Sequence, residues 1–184
     1  YAAERGDPPH PDIEPTAEQI SALQQIIRDD GVPYTDFAVF GPHGNRLVKR
    51  LTFRSFVHQP DGSWQRVELP GPPDFQTWWR CYRTLKTLLL LLRVAAVEHI
   101  DNYGEHVRGL SEQYGPRCWF LVYQADCRMR SEEFERIRRN LESTHSKYAD
   151  SALAALSDFN PAQPWNAVFK HAASDRTRSF WDRE

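Results

Sequence analysis

"DFQTWWRCYRTLKTLLLLLRV", residues 74–94, is the stretch on which the fold of this chain turns. Its apolar residues Phe75, Trp78, Trp79, Tyr82, Leu85, Leu89 and Leu92 recur every three or four positions, the spacing of a single helix stripe. Asp74 stands where an N-cap belongs, directly after the turn-forming "PGPP". In the second half Leu88, Leu90 and Leu91 carry apolar surface around the rest of the circumference, so that end needs cover on more than one face. Each large side chain withdrawn from water contributes about 1.5–3 kcal/mol. The segment therefore reads as the central helix of a core, its leucine end enclosed by other helices or by another subunit. A membrane span is excluded, because it takes about 20 mostly apolar residues. The unbroken run here is only 88–92, bracketed by Arg80, Arg83, Lys86 and Arg93.

The whole chain has 184 residues, which suits one domain with tails and a sizeable core. Charged residues make up 26% and the formal net charge is -2, so electrostatic binding of nucleic acid over the whole surface is not expected. Any such binding is local. Cys81, Cys118 and Cys127 form no CxxC pair, and their odd number argues against a disulfide framework. They read as reduced, buried thiols of an intracellular protein, cytoplasmic or nuclear. The opening "YAAERGDPPHPDIEP" lacks the apolar core of a secretory signal. It starts at Tyr1, as expected of an excised domain or a processed product.

Residues 1–15 are expected to be a flexible, proline-rich tail. An amphipathic helix is expected over 16–31. Thr16 and Gln19 form a capping-box pattern, Ile20, Leu23, Ile26 and Ile27 keep helical spacing, and Gly31 with Pro33 stops it. A single helical domain, 32–172, then opens with a β-hairpin or small three-stranded meander over 37–69. There "DFAVF" is β-rich, "GPHGN" and "QPDGS" are turns, and Leu47, Leu51, Phe53 and Val57 alternate with basic residues. Two readings of this ribbon stay open. It is a lid with charged edges, or Arg46, Lys49, Arg50, Arg54 and Arg66 form a basic strip for phosphates.

Further helices follow the leucines. Val97, Ile100, Tyr103, Val107 and Leu110 keep register until the stop at Tyr114-Gly115-Pro116. "PRCWFLVYQADCRMR" is expected to be another buried helix, and "SEEFERIRRNLESTHSKY" an amphipathic one that continues from it. "SALAALSDF" and "PWNAVFKHAA" are shorter helical candidates, and 173–184 is a C-terminal tail. The fold class is thus mainly α, a multi-helix bundle with an N-terminal β-hairpin or small meander.

Chemistry is sparse. His99 and His106 lie two helical turns apart, too far to chelate one ion without a bridging group, and Asp101 and Glu105 beside them fit a solvated face. Cys127 and His145 could be drawn as nucleophile and base, yet no motif orients either. No phosphate-cradling glycine loop, nucleophile elbow or zinc-protease helix motif occurs. The expectation is no catalytic residue, no metal and no cofactor. The remaining charge cluster, "RMRSEEFERIRRN", carries Arg128, Arg130, Arg136, Arg138 and Arg139. Glu132–Arg136 and Glu135–Arg139 have i,i+4 spacing, so part of that charge is neutralised locally. The arginines that the acids do not reach are candidates for a nucleic-acid backbone or an acidic partner.

Together, "FAVFGPHGNR", "ELPGPPDFQTWWRCYRTLKTLLLLL", "YGEHVRGLSEQYGPRCWFLVYQADCRMRSEEFERIRR" and "PAQPWNAVF" resemble a large protein family of dinoflagellate algal genomes that accompanies retroelements. The resemblance spans 34–169. It implies a Gag-like or nucleocapsid-like product encoded beside a reverse transcriptase, often with Cys/His-rich knuckles downstream; none of the three cysteines here has knuckle spacing. The expected function is a non-enzymatic structural or assembly domain that self-associates and touches nucleic-acid backbone, single-stranded RNA or DNA. Trp78, Trp79, Leu88, Leu89, Leu90, Leu91 and Leu92 would form its core or self-association surface. Two rivals remain: an adaptor that docks on another protein through the leucine-rich helix, and an accessory domain of a reverse transcriptase or nuclease polyprotein.

Overall fold

Thr16 starts the first helix as its spacing predicts. Its Oγ1 accepts a hydrogen bond from the Gln19 backbone N–H at 3.2 Å, and Gln19 Oε1 accepts from the Thr16 N–H at 2.9 Å. The resulting α1 (Ala17–Arg28) buries Leu23. This computed structural model describes residues 7–29, 31–43, 50–58, 60–94 and 97–135. Arg46, Lys49, Arg136, Arg138, Arg139, His145 and the helical candidates beyond them lie outside the described residues.

Part of the expected tail is not a tail. Pro11–Ile13 forms a short 3-10 turn that packs on the long central helix, and Pro15 is buried. Proline at the first turn position fixes φ in advance, and His10 Nδ1 accepts from the Asp12 N–H, so the turn needs little apolar area to hold.

"DFAVF" forms a turn rather than a strand. The Asp36 carboxylate accepts from the Ala38 N–H at 2.9 Å, and its carbonyl accepts from Val39 and Phe40 at 3.1 and 2.8 Å. A side chain that offers its own backbone these bonds outcompetes a ladder. The turn drives Phe37 and Phe40 into the core and leaves Val39 exposed.

The hairpin comes later than expected and, among the described residues, has two strands, β1 (Thr52–His58) and β2 (Trp64–Pro70), antiparallel from Thr52↔Pro70 to His58↔Trp64. Asp61 accepts from both the N–H and the hydroxyl of Ser63, and Gly62 at φ 87° supplies the left-handed residue of the turn. Phe53 meets Tyr123 edge to face at 5.6 Å and Phe56 meets Phe120 at 6.1 Å, which anchors the ribbon on the helices.

The opening stretch forms α2 (Phe75–Leu91), with the Asp74 carboxylate capping the Thr77 N–H at 2.7 Å. Leu88, Leu89 and Leu90 are buried within the chain itself, Leu92 is half-buried and Leu91 is 37% exposed. The leucine run is therefore core, and little of it is left for a partner. The helix ends where Arg93, at φ 54°, bends so that the Val94 N–H reaches the Leu89 carbonyl at 2.9 Å. α3 (Val97–Tyr114) crosses α2 at Gly104, where a Cβ would come within 2.8 Å of the Tyr82 ring. That approach lets the Tyr82 hydroxyl donate to the Ile100 carbonyl, and an ion pair joins Lys86 to Asp101.

Gly115, at φ 74°, then turns the chain through Pro116–Cys118 into α4 (Trp119–Arg128). α4 continues through a π-turn, Met129–Glu133. The wider turn sets Met129 and Phe134, five residues apart, on one side, so the buried Met129 and the Phe134 ring, 5.8 Å from Tyr103, both pack inward. The fold is mainly α with one hairpin. No described helix is long and apolar enough to cross a membrane.

Candidate functional site

Deep between the helices lies a charge pair that residue types alone would place on the surface. Asp126 is 0% exposed and Arg130, one helical turn later, is 4% exposed. The guanidinium donates to both carboxylate oxygens at 2.7–3.1 Å. Its third arm donates to the Thr35 carbonyl at 2.7 Å, and its plane lies 3.9 Å above the Phe37 ring. The carboxylate also accepts from Trp78 Nε1 at 2.9 Å and from the Tyr103 hydroxyl at 2.8 Å. One carboxylate therefore ties α2, α3 and α4 together, and one guanidinium adds the 31–43 segment.

Electrostatics follow from this geometry. Burial opposes the charge of Arg130, but Asp126 outweighs it and holds the guanidinium above its ordinary range. Burial, then the Asp126 charge, pushes the Tyr82 and Tyr103 phenols well up, so both stay neutral donors. Burial raises the thiol of half-buried Cys127, whose sulfur lies 3.4 Å from the Tyr34 hydroxyl. Every oxygen and nitrogen of the pair is directed at structural partners, and a thiol with a raised pKa is a poor nucleophile. The network is a bolt. Among the described residues no three His, Cys, Asp or Glu side chains gather as metal ligands would.

Arg130 must therefore leave the set of nucleic-acid candidates: Asp126 and Thr35 consume its donors away from solvent. Arg128 is half-buried and pairs with Glu132 at 3.3 Å, an exposed ion pair that neutralises part of its charge and leaves it a candidate. Trp78 is fully buried, which assigns it to the core, whereas Trp79 is half-buried at the surface. Of the cysteines expected to be buried, only Cys81 is; Cys118 and Cys127 are partly accessible.

The hairpin keeps its basic character. Arg50, Arg54 and Arg66 are exposed and make no ion pair with any described residue. Arg54 stands opposite Glu68 and Arg66 opposite Phe56, so the two arginines share one pleat face as diagonal neighbours, about 7–8 Å apart. The other face buries Phe53 and Ser55.

A second feature had no sequence forecast. A groove of about 680 Å³ opens where the N-terminus of α2 meets the end of α3. Half-buried Phe75 and Trp79 line it, with Asp74 and Gln76 on one rim and Arg108 and Glu112 on the other. Arg108 lies 4.6 Å over the Trp79 ring and is tethered to Glu105 at 3.3 Å. Its residues come from three separate sequence segments, and of them only Phe75 and Trp79 stood out in the sequence, as members of the apolar stripe.

Comparison with protein-family models, with curated proteins and with solved structures gave no match.

Proposed function

We propose that this chain is a non-enzymatic scaffold domain of a Gag-like, retroelement-type product, acting inside the cell, which self-associates and contacts single-stranded nucleic acid through its hairpin. The observation that carries the reading is the placement of Arg50, Arg54 and Arg66, exposed arginines along a ribbon that Phe53 and Phe56 anchor on the helices. Backbone phosphates are recognised by such charge without base contacts. The interior polar groups support a scaffold, since Asp126, Arg130, Trp78 and Tyr103 bind one another. The adaptor alternative keeps less support, because Leu88, Leu89 and Leu90 are covered by the chain itself.

The test is fluorescence anisotropy of a labelled single-stranded RNA across a salt series, with light scattering on the protein alone across a concentration series. Binding is expected to weaken with salt. In R54Q/R66Q the slope should shallow by about 1.4, since each phosphate that a removed arginine no longer neutralises accounts for about 0.7. Absence of RNA binding at low salt, together with a constant monomer mass, overturns the proposal.

A further inference from the structure

The groove at the start of α2 has the chemistry of a guanidinium receptor. Asp74 and Glu112 place exposed carboxylates on its two rims, and the half-buried rings of Phe75 and Trp79 form its floor. Trp79 is covered by the guanidinium of Arg108, 4.6 Å from its ring, so the rim carboxylates and the Phe75 ring are what the groove offers an incoming arginine. Carboxylates beside aromatic faces bind arginine through charge-assisted hydrogen bonds and cation–π attraction at once. Arg108 does not cancel the acidity, because Glu105 pairs with it at 3.3 Å. Glu112 makes no ion pair with any described residue.

The complementary surface is on the same chain. Arg54 and Arg66, diagonal on one pleat face of the hairpin, are exposed; Glu68 shares that face opposite Arg54, but its carboxylate accepts from the Thr52 hydroxyl and forms no ion pair with either arginine. We infer that the groove receives the arginine face of the hairpin of a second copy, head to tail; this rests on the self-association proposed above and names its two surfaces. With one groove–hairpin contact per pair the contact is heterologous and builds a ring or an open chain. The same arginines serve the nucleic-acid contact, so RNA and the groove compete for them. Exposed charges on both sides make the contact salt-sensitive.

The experiment uses the whole chain in two charge-reversed forms. Q76R/E112R inverts the groove and leaves the Asp74 cap intact; R54E/R66E inverts the hairpin. All four positions are exposed, and thermal melts check that both variants fold as the parent does. Light scattering on the parent is expected to show mass rising with concentration and falling with salt. Each variant alone is expected to stay monomeric at tenfold higher concentration, and an equimolar mixture to associate, since each offers the other a complementary surface. Excess single-stranded RNA is expected to return the parent to monomer–RNA complexes. Association of Q76R/E112R equal to that of the parent, or a mixture that stays monomeric, overturns the groove assignment while leaving the scaffold reading in place. A parent that never self-associates overturns the groove assignment and the self-association half of the proposed function.

Discussion

Replacing Arg130 by Met removes the guanidinium that faces the buried Asp126 carboxylate and keeps most of the side-chain volume. Breaking one partner of a buried ion pair costs about 3–5 kcal/mol, because the other is stranded without solvent. Asp126→Leu strands the guanidinium and also orphans Trp78 Nε1 and the Tyr103 hydroxyl, so it belongs at the top of that range. The double variant D126L/R130M separates the two components of that cost. With both charges gone the desolvation term disappears, and apolar replacement of a buried pair is often neutral. Here three other groups lose their partner: Trp78 Nε1, the Tyr103 hydroxyl and the Thr35 carbonyl. At about 1–3 kcal/mol each, they keep the double variant at least about 3 kcal/mol below the parent. The double variant is thus expected to lose about as much as either single one, far less than their sum, so the coupling is about 3 kcal/mol. Urea unfolding followed by tryptophan fluorescence measures all four proteins; the midpoint should shift with an unchanged slope. A double variant as stable as the parent would show that Trp78, Tyr103 and Thr35 do not depend on the pair, and strictly additive losses would show that the two charges act separately.

Gly71→Ala should destabilise the chain by about 2–4 kcal/mol, seen as a fall in Tm, because φ is 146° and a new Cβ would enter the Tyr123 ring. Arg93→Gly should stabilise it by about 1 kcal/mol in the same assay, since a left-handed position strains a side chain and suits glycine. Burial holds the His106 imidazole below its ordinary value of 6.5. The unfolded chain therefore binds the proton more readily, and the stability contributed above pH 6.5 is lost as pH falls from there through the folded pKa. Urea midpoints between about pH 7.5 and 5 should fall more steeply in the parent than in H106Q, and parallel slopes would assign the acid sensitivity elsewhere.

Features that depend on near neighbours were legible in the sequence. The Thr16–Gln19 capping box, the Asp74 cap and the stripe from Phe75 to Leu92 each need only residues within a few turns, and each is present. The "PDGS" turn and the stop at Gly115 are equally local. The Asp126–Arg130 pair was not legible, because i,i+4 spacing serves a solvated pair equally well. What draws it inward are the donors of Trp78 and Tyr103, 48 and 23 residues away. "DFAVF" misled because aromatic and β-branched content favours a strand, while a single Asp36 carboxylate selects the turn. The groove was out of reach for a third reason: Pro73, Arg108 and Pro116 become neighbours only once α2, α3 and the turn after Gly115 have packed.

The bond from Arg130 to the Thr35 carbonyl closes a loop of 95 residues. Loops of that length close late relative to helix formation, since the entropy of bringing their ends together must be met before the contact stabilises anything. Until the 31–43 segment docks, one arm of the guanidinium lacks its carbonyl and the Phe37 ring does not cover its plane. Covering of the buried pair and docking of the 31–43 segment are then one event, since Thr35 and Phe37 supply that cover.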